Sequence, residues 1–385
     1  MLIFVLLLVG GTFCFWLWRG HESAHAYRLP SVEPVYKGKP LSEWTSEVRI
    51  DVLKNGSHPP VAVEAIKAFG PAAVPFLLKW LEPAEQTNST VPGGVEAAFE
   101  VLGPEAKSAI PGLAKLLDKY QPREPTPISK AWHEVEMVLA HVGYKPKPQN
   151  FLKNYSAWSY AASSLSHLGP EAVPAMLRAA KNVQGQHIQW EIILNMGNFG
   201  TNGAAAIPAL IVWAHDKDAW VRAGAVSALG NIAREPGMVV PVLSAKLKDP
   251  DPLVRRYTAG ALGYFGKDAR VATPELIRTL DDPEWDVRRE TILTLASIGE
   301  RPEIVVPLLA KKLQDIDERV RRDAGLALGE IGGQAAFDAL MVATDDPDMD
   351  ARSTIFEALR KIDAKALEKS GKRFLHKDAP ISRGE

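Results

Sequence analysis

A dipeptide that returns every 33 residues constrains this chain more than any other feature. Val-Arg stands at Val221-Arg222, Val254-Arg255, Val287-Arg288 and Val320-Arg321. Each copy follows a proline by 13 residues (Pro208, Pro241, Pro274, Pro307), and each arginine follows an aspartate by six (Asp216, Asp249, Asp282, Asp315). A fixed period of this length is the signature of a solenoid, whose units pack mainly on their neighbours. The core of such an array grows lengthwise, so 385 residues need not divide into compact domains. It presents an extended surface rather than an enclosed pocket.

The stretch Pro241 to Gly266 shows what one unit is made of. Pro241 suits the first turn of a helix, where its missing N–H is not needed. Leu243 and Leu247 then share one face. Asp249-Pro250-Asp251-Pro252 ends that helix and opens another, with Asp251 as the N-cap and Pro252 at the first helical position. Val254, Thr258, Ala261, Leu262 and Phe265 form an apolar stripe at helical spacing, and Gly266 fits a left-handed C-terminal cap. Each unit thus reads as two antiparallel helices.

Looser copies lie upstream. Pro75 leads Leu77 and Leu81, Pro111 leads Leu113 and Leu117, and Pro174 leads Met176 and Ala180. Gly70-Pro71, Gly103-Pro104 and Gly169-Pro170 close the helices before them, and a degenerate unit is expected around Phe151 to Gly169. The predicted fold is all-α: an α-solenoid of about ten antiparallel helix pairs from Leu41 to Asp363, ending in the pair Ala336 to Asp363. Pro-rich loops at Glu82–Gly94, Gln121–Ser129 and Tyr144–Asn150 interrupt it.

The grammar Pro-x-Leu-x-x-x-Leu-x-Asp, then Val-Arg, then Ala-Leu-Gly-x-x-Gly resembles that of bacterial HEAT-repeat proteins, of the short-repeat type also found in phycobilisome lyases. The resemblance is strongest from Pro208 to Gly332. It implies that turn aspartates and the arginines six residues later form a hydrogen-bond ladder along the array. The residues carried over are Asp216/Arg222, Asp249/Arg255, Asp282/Arg288, Asp315/Arg321 and Asp346/Arg352. Ankyrin repeats share the period, but their Thr-Pro-Leu-His is absent.

The flanks carry a different message. Leu2 to Trp18 is a nearly unbroken apolar run, the length of a short membrane-spanning helix, and Ala24-His25-Ala26 offers a cleavage pattern beyond it. Residues 1–26 are expected to be a signal peptide or membrane anchor, 27–40 a linker and 364–385 a tail. That predicts an exported protein, periplasmic or anchored in the inner membrane, whose membrane contact is confined to residues 2–18. Cys14 is the single cysteine, so no intramolecular disulfide can form. A net charge of −1 supplies no basic field for nucleic acid, so none is expected as a partner.

No residue pattern points to catalysis, a metal or a cofactor. His21-Glu22-Ser23-Ala24-His25 matches the zinc motif H-E-x-x-H, but it follows the apolar run directly and has no third ligand in view. His133-Glu134 is the one His-Glu pair within the array, too few for the multiple pairs a di-iron site requires, and reads as a surface or packing histidine. Gly260, Gly263 and Gly266 follow no strand and so read as packing positions at a helix end, not as a phosphate loop. Candidate partner contacts are Arg256, Tyr257, Tyr264, Arg289 and Arg322, which fall off the apolar stripe, and Trp220 and Trp285, where second helices begin. These predict a non-catalytic scaffold holding a protein or peptide along its inner, second-helix face. The alternative, implied by the same resemblance, is a lyase-like enzyme acting on a tetrapyrrole or another small ligand.

Overall fold

The computed structural model describes residues 32–55, 58–82, 94–121, 150–183, 186–299 and 302–373, and every statement of absence below refers to these. The apolar run with its H-E-x-x-H, His133-Glu134 and most of the three Pro-rich loops lie outside them. The chain separates into two units, residues 1–120 with 146–164 and residues 121–145 with 165–385.

In the first unit a short antiparallel ladder, β1 (Val35–Tyr36) with β2 (Lys39–Pro40), leads into α1 (Leu41–Asn55). Glu33 accepts from the backbone N–H and hydroxyl of Ser42, and the Trp44 indole donates to the Tyr36 carbonyl at 3.1 Å. The expected linker is therefore fastened to the first helix. Next come α2 (Pro60–Phe69), α3 (Val74–Leu81), α4 (Val95–Leu102), α5 (Ile110–Lys119) and α6 (Asn150–His167). The Gly-Pro pairs work by division of labour. Gly70 and Gly103 both take φ 51°, a conformation costly for a side chain, and the following proline starts a 3₁₀ turn into the next helix. Ile66, Leu77, Leu81, Phe99, Leu113 and Leu117 fill the core. Pro60–Leu81 is long and apolar enough to cross a membrane, but it is two helices broken at Gly70, and half of it is buried.

The second unit repeats the hairpin with greater regularity. Its pairs are α7 (Val173–Asn182) with α8 (Gln186–Met196), α9 (Ile207–Trp213) with α10 (Ala219–Ile232), and α11 (Pro236–Lys246) with α12 (Pro252–Gly263). They continue as α13 (Thr273–Thr279) with α14 (Trp285–Ile298), α15 (Pro302–Lys312) with α16 (Glu318–Ile331), and α17 (Gly333–Val342) with α18 (Met349–Lys369). The architecture is the all-α solenoid read from the repeat. Asp251 caps α12 through the Leu253 N–H at 2.9 Å, and Val254, Thr258, Ala261, Leu262 and Phe265 are all buried. Two prolines depart from expectation. Pro241 and Pro307 lie inside α11 and α15, not in their first turns. In α11 the reason is visible: Glu235 turns left-handed at φ 52°, and Pro236 takes the first position, so the helix starts five residues before Pro241.

The ladder ties each unit to the next. The Arg222 guanidinium donates to the carbonyls of Asp216 and Lys217 in its own turn, both at 3.0 Å. Its Nε and Nη2 then hold the Asp249 carboxylate of the following unit, at 2.9 and 2.7 Å. The same fork joins Arg255 to Asp282, Arg288 to Asp315 and Arg321 to Asp346. The ion pairs thus run from each arginine to the next aspartate, while the Asp/Arg pairs six residues apart meet through the aspartate's backbone carbonyl. Each of these carboxylates also receives a backbone N–H from two residues on, as Asp251 donates to Asp249 at 3.1 Å. Burial pushes the Asp249 carboxyl up, but bonds from Arg222 and the Asp251 N–H, with the charges of Arg222 and Lys246, outweigh it and hold it below the ordinary carboxylate range. Asp315 is held down in the same way by Arg288 and the Asp317 N–H. Arg352 ends the series: it reaches the carbonyls of Asp346 and Pro347, and its buried Nε has no partner.

Second helices stack on one another at close range. A Cβ on Gly230 of α10 would stand 2.6 Å from the Cα of Ala261 in α12, so this crossing admits only glycine without movement.

Candidate functional site

The second helices present one polar and aromatic face, and its best-formed feature lies on α10, α12 and α14. There Ser227, Asn231, Arg256, Tyr257, Tyr264 and Glu290 line a pocket of about 250 Å³ floored by Gly260 and Ala261. The floor is low because Gly260 has no side chain. A Cβ there would already touch the Glu290 carboxylate, at 3.4 Å. Tyr264 stands at the C-terminal end of α12 and is 66% exposed, so its ring is offered to solvent rather than to the core.

Three of the seven residues expected to bind a partner meet in this pocket: Arg256, Tyr257 and Tyr264. Arg256 lies over the Tyr257 ring, 4.7 Å from its centroid, and reaches Asp286 of α14 at 3.5 Å. The other arginines are engaged within the face. Arg289 pairs with the buried carboxylate of Asp323, which also accepts from Arg322 at 3.2 Å. The tryptophans sit elsewhere on the second helices. Trp220, 38% exposed, meets Trp190 edge-on at 5.6 Å, and Trp285 is covered by the Arg319 guanidinium at 3.3 Å. The expected residues therefore form one pocket and two aromatic clusters, not a single continuous contact.

The acids of this face escaped notice in the sequence. Glu290 follows Tyr257 by 33 residues and precedes Asp323 by 33, in the column next to Arg256, Arg289 and Arg322. Reading that neighbouring column would have found them. Glu290 differs from Asp286 and Asp323 in making no hydrogen bond or ion pair among the described residues. Burial pushes its carboxyl above the ordinary range, although the charges of Arg289 and Arg256 pull the other way. Among the described residues no group of three His, Cys, Asp or Glu side chains could hold a metal ion.

Family comparison agrees with the geometry. Residues 240–315 and 273–360 match the model for HEAT repeats, and residues 206–235 match that for a single HEAT repeat. This is a HEAT-repeat protein. No protein of curated function is significantly similar to it in sequence. Among solved structures, a mutant of Kap121p aligns over 80% of this chain and 36% of its own length, with 14% identity and a TM-score of 0.53. Kap121p bound to Pho4p aligns over 83% of this chain and 37% of its own length, with 13% identity and a TM-score of 0.52. The HEAT chain thus spans little more than a third of Kap121p. The complex of CpcE and CpcF of phycocyanin lyase from Nostoc sp. PCC7120 is 23% identical over 41% of this chain and 98% of its own, with a TM-score of 0.35. At these identities the likeness is one of fold.

Proposed function

We propose that this chain is a non-catalytic interaction scaffold of the bacterial envelope, which holds a protein partner along its second-helix face. The observation that carries the reading is the exposed Tyr264 ring over a pocket whose floor is opened by Gly260. Exposed tyrosine beside a side-chain-sized recess is the kind of feature on which binding energy concentrates. HEAT solenoids are protein-interaction folds in general, and Kap121p, of like fold, is itself seen bound to a protein. The apolar run Leu2 to Trp18 supports the envelope location.

The test is capture from an envelope extract on full-length protein, run beside a Tyr264→Ala variant of unchanged circular dichroism. A protein retained in stoichiometric amount by the wild type and lost from the variant is the expected result. The same protein retained by both would move the contact off this face. A coloured eluate without protein would overturn the scaffold in favour of a tetrapyrrole enzyme.

A further inference from the structure

Glu290 gives the pocket a chemical preference. The acids around it are already neutralised: Asp286 by Arg256, and Asp323 by Arg289 and Arg322. Glu290 alone projects a carboxylate into the recess without a partner, half-buried, where water solvates it poorly. Around it stand groups that accept hydrogen bonds or line an aliphatic stem: the Asn231 amide oxygen, the Ser227 hydroxyl and the rings and hydroxyls of Tyr257 and Tyr264. Arg256 cannot serve as the missing cation while it is held against Asp286 and the Tyr257 ring.

We propose that this pocket receives a lysine side chain of the bound partner, its methylenes between Tyr257 and Tyr264 and its ammonium on Glu290. This rests on the second-helix face being the contact surface. A lysine fits better than an arginine because its compact ammonium can direct three donors to scattered acceptors such as Glu290, Asn231 and Ser227. A guanidinium needs a coplanar bidentate acceptor, and one oxygen of Glu290 is already turned toward Gly260. The charge also assigns polarity, since an acidic side chain would meet Glu290 directly.

The experiment selects random 12-residue peptides displayed on phage against the immobilised full chain and, in parallel, against its Glu290→Gln variant. Wild type is expected to enrich peptides with lysine at one fixed position. Replacing that lysine by norleucine should weaken binding about tenfold, the effect of one charge-assisted bond. On Glu290→Gln the same replacement should change little, because the partner of the ammonium is gone. Arginine enriched in place of lysine would overturn the assignment of the cation. Peptides without a basic residue that are lost on Tyr264→Ala but bind Glu290→Gln unchanged would overturn the lysine site and leave the face intact. Enriched peptides that bind Tyr264→Ala unchanged, or no enrichment at all, would sink the face together with the pocket.

Discussion

The two units use one helical hairpin and close it by different means. In the second, arginine forks join successive turns from Arg222 to Asp346, each pair largely withdrawn from water. In the first, Arg49 is the sole arginine between residues 32 and 120, so a ladder cannot be built there. Its hairpins rest on apolar packing and on the clasp of residues 33–44, reinforced by the Tyr36 hydroxyl on Glu64 at 2.6 Å. Apolar contacts tolerate irregular spacing, whereas a bidentate ion pair fixes the distance from one turn to the next. The strict 33-residue period is thus a consequence of the ladder, and the looser spacing upstream follows from its absence.

The largest effect is expected from cutting that ladder. Arg255→Ala leaves the Asp282 carboxylate buried without its cation and should cost about 3–5 kcal/mol in urea unfolding. Arg255→Met with Asp282→Leu should recover most of the loss, because no charge is then stranded. Arg352→Met should cost less than Arg255→Met, since Arg352 holds two carbonyls and no carboxylate. Unchanged stability in Arg255→Ala would remove the ladder from the account of the period.

Two glycines sharpen the contrast at a smaller scale. A Cβ on Gly230 in the second unit and one on Gly112 in the first would each meet an atom at 2.6 Å. At Gly230 that atom is the Cα of Ala261, and at Gly112 it is a terminal methyl of Leu78. Backbone cannot rotate away, so Gly230→Ala should cost about 1–3 kcal/mol. Leu78 can change rotamer, and alanine gains about 1 kcal/mol of helix propensity over glycine, so Gly112→Ala should be neutral or stabilising. Thermal unfolding of the two variants checks both signs, and equal losses would mean that the first unit is as rigidly packed as the second.

The same physics explains what could be read in advance. Period, helix pairs and the cap at Asp251 were legible because each follows from local chemistry repeated at fixed spacing. The ladder's true register was not. A six-residue spacing suggests a pair within one turn, while the carboxylate actually held by Arg222 belongs to Asp249, 27 residues on. Pro241 misled because the left-handed Glu235, which sets where the helix begins, carries no glycine signal. The candidate pocket was half legible. Arg256, Tyr257 and Tyr264 stood out as large polar residues off the apolar stripe, but Glu290 matters through lacking a partner, and a sequence does not show which acids are already paired.

Acid titration separates the carboxylates by sign. Asp249 and Asp315 sit below their unfolded values, so their stabilisation is complete above about pH 4 and is lost as pH falls through their folded values. The urea midpoint should therefore drop below pH 4, with less of a drop in Asp249→Asn. Glu290 works in the opposite direction. Burial raises its carboxyl above the unfolded value, so its charged form opposes folding, and stability falls as pH rises through that interval. Glu290→Gln should accordingly be more stable than wild type at pH 7, by about 0.5 kcal/mol once solvent screening of a half-buried group is allowed for. The gain should vanish below pH 4, where both side chains are neutral. A gain in stability together with weaker peptide binding would mark Glu290 as a residue kept for its ligand at a cost to the fold. A loss of stability at pH 7 would mean that its carboxylate has a partner within the protein, and the pocket would have no charge to offer.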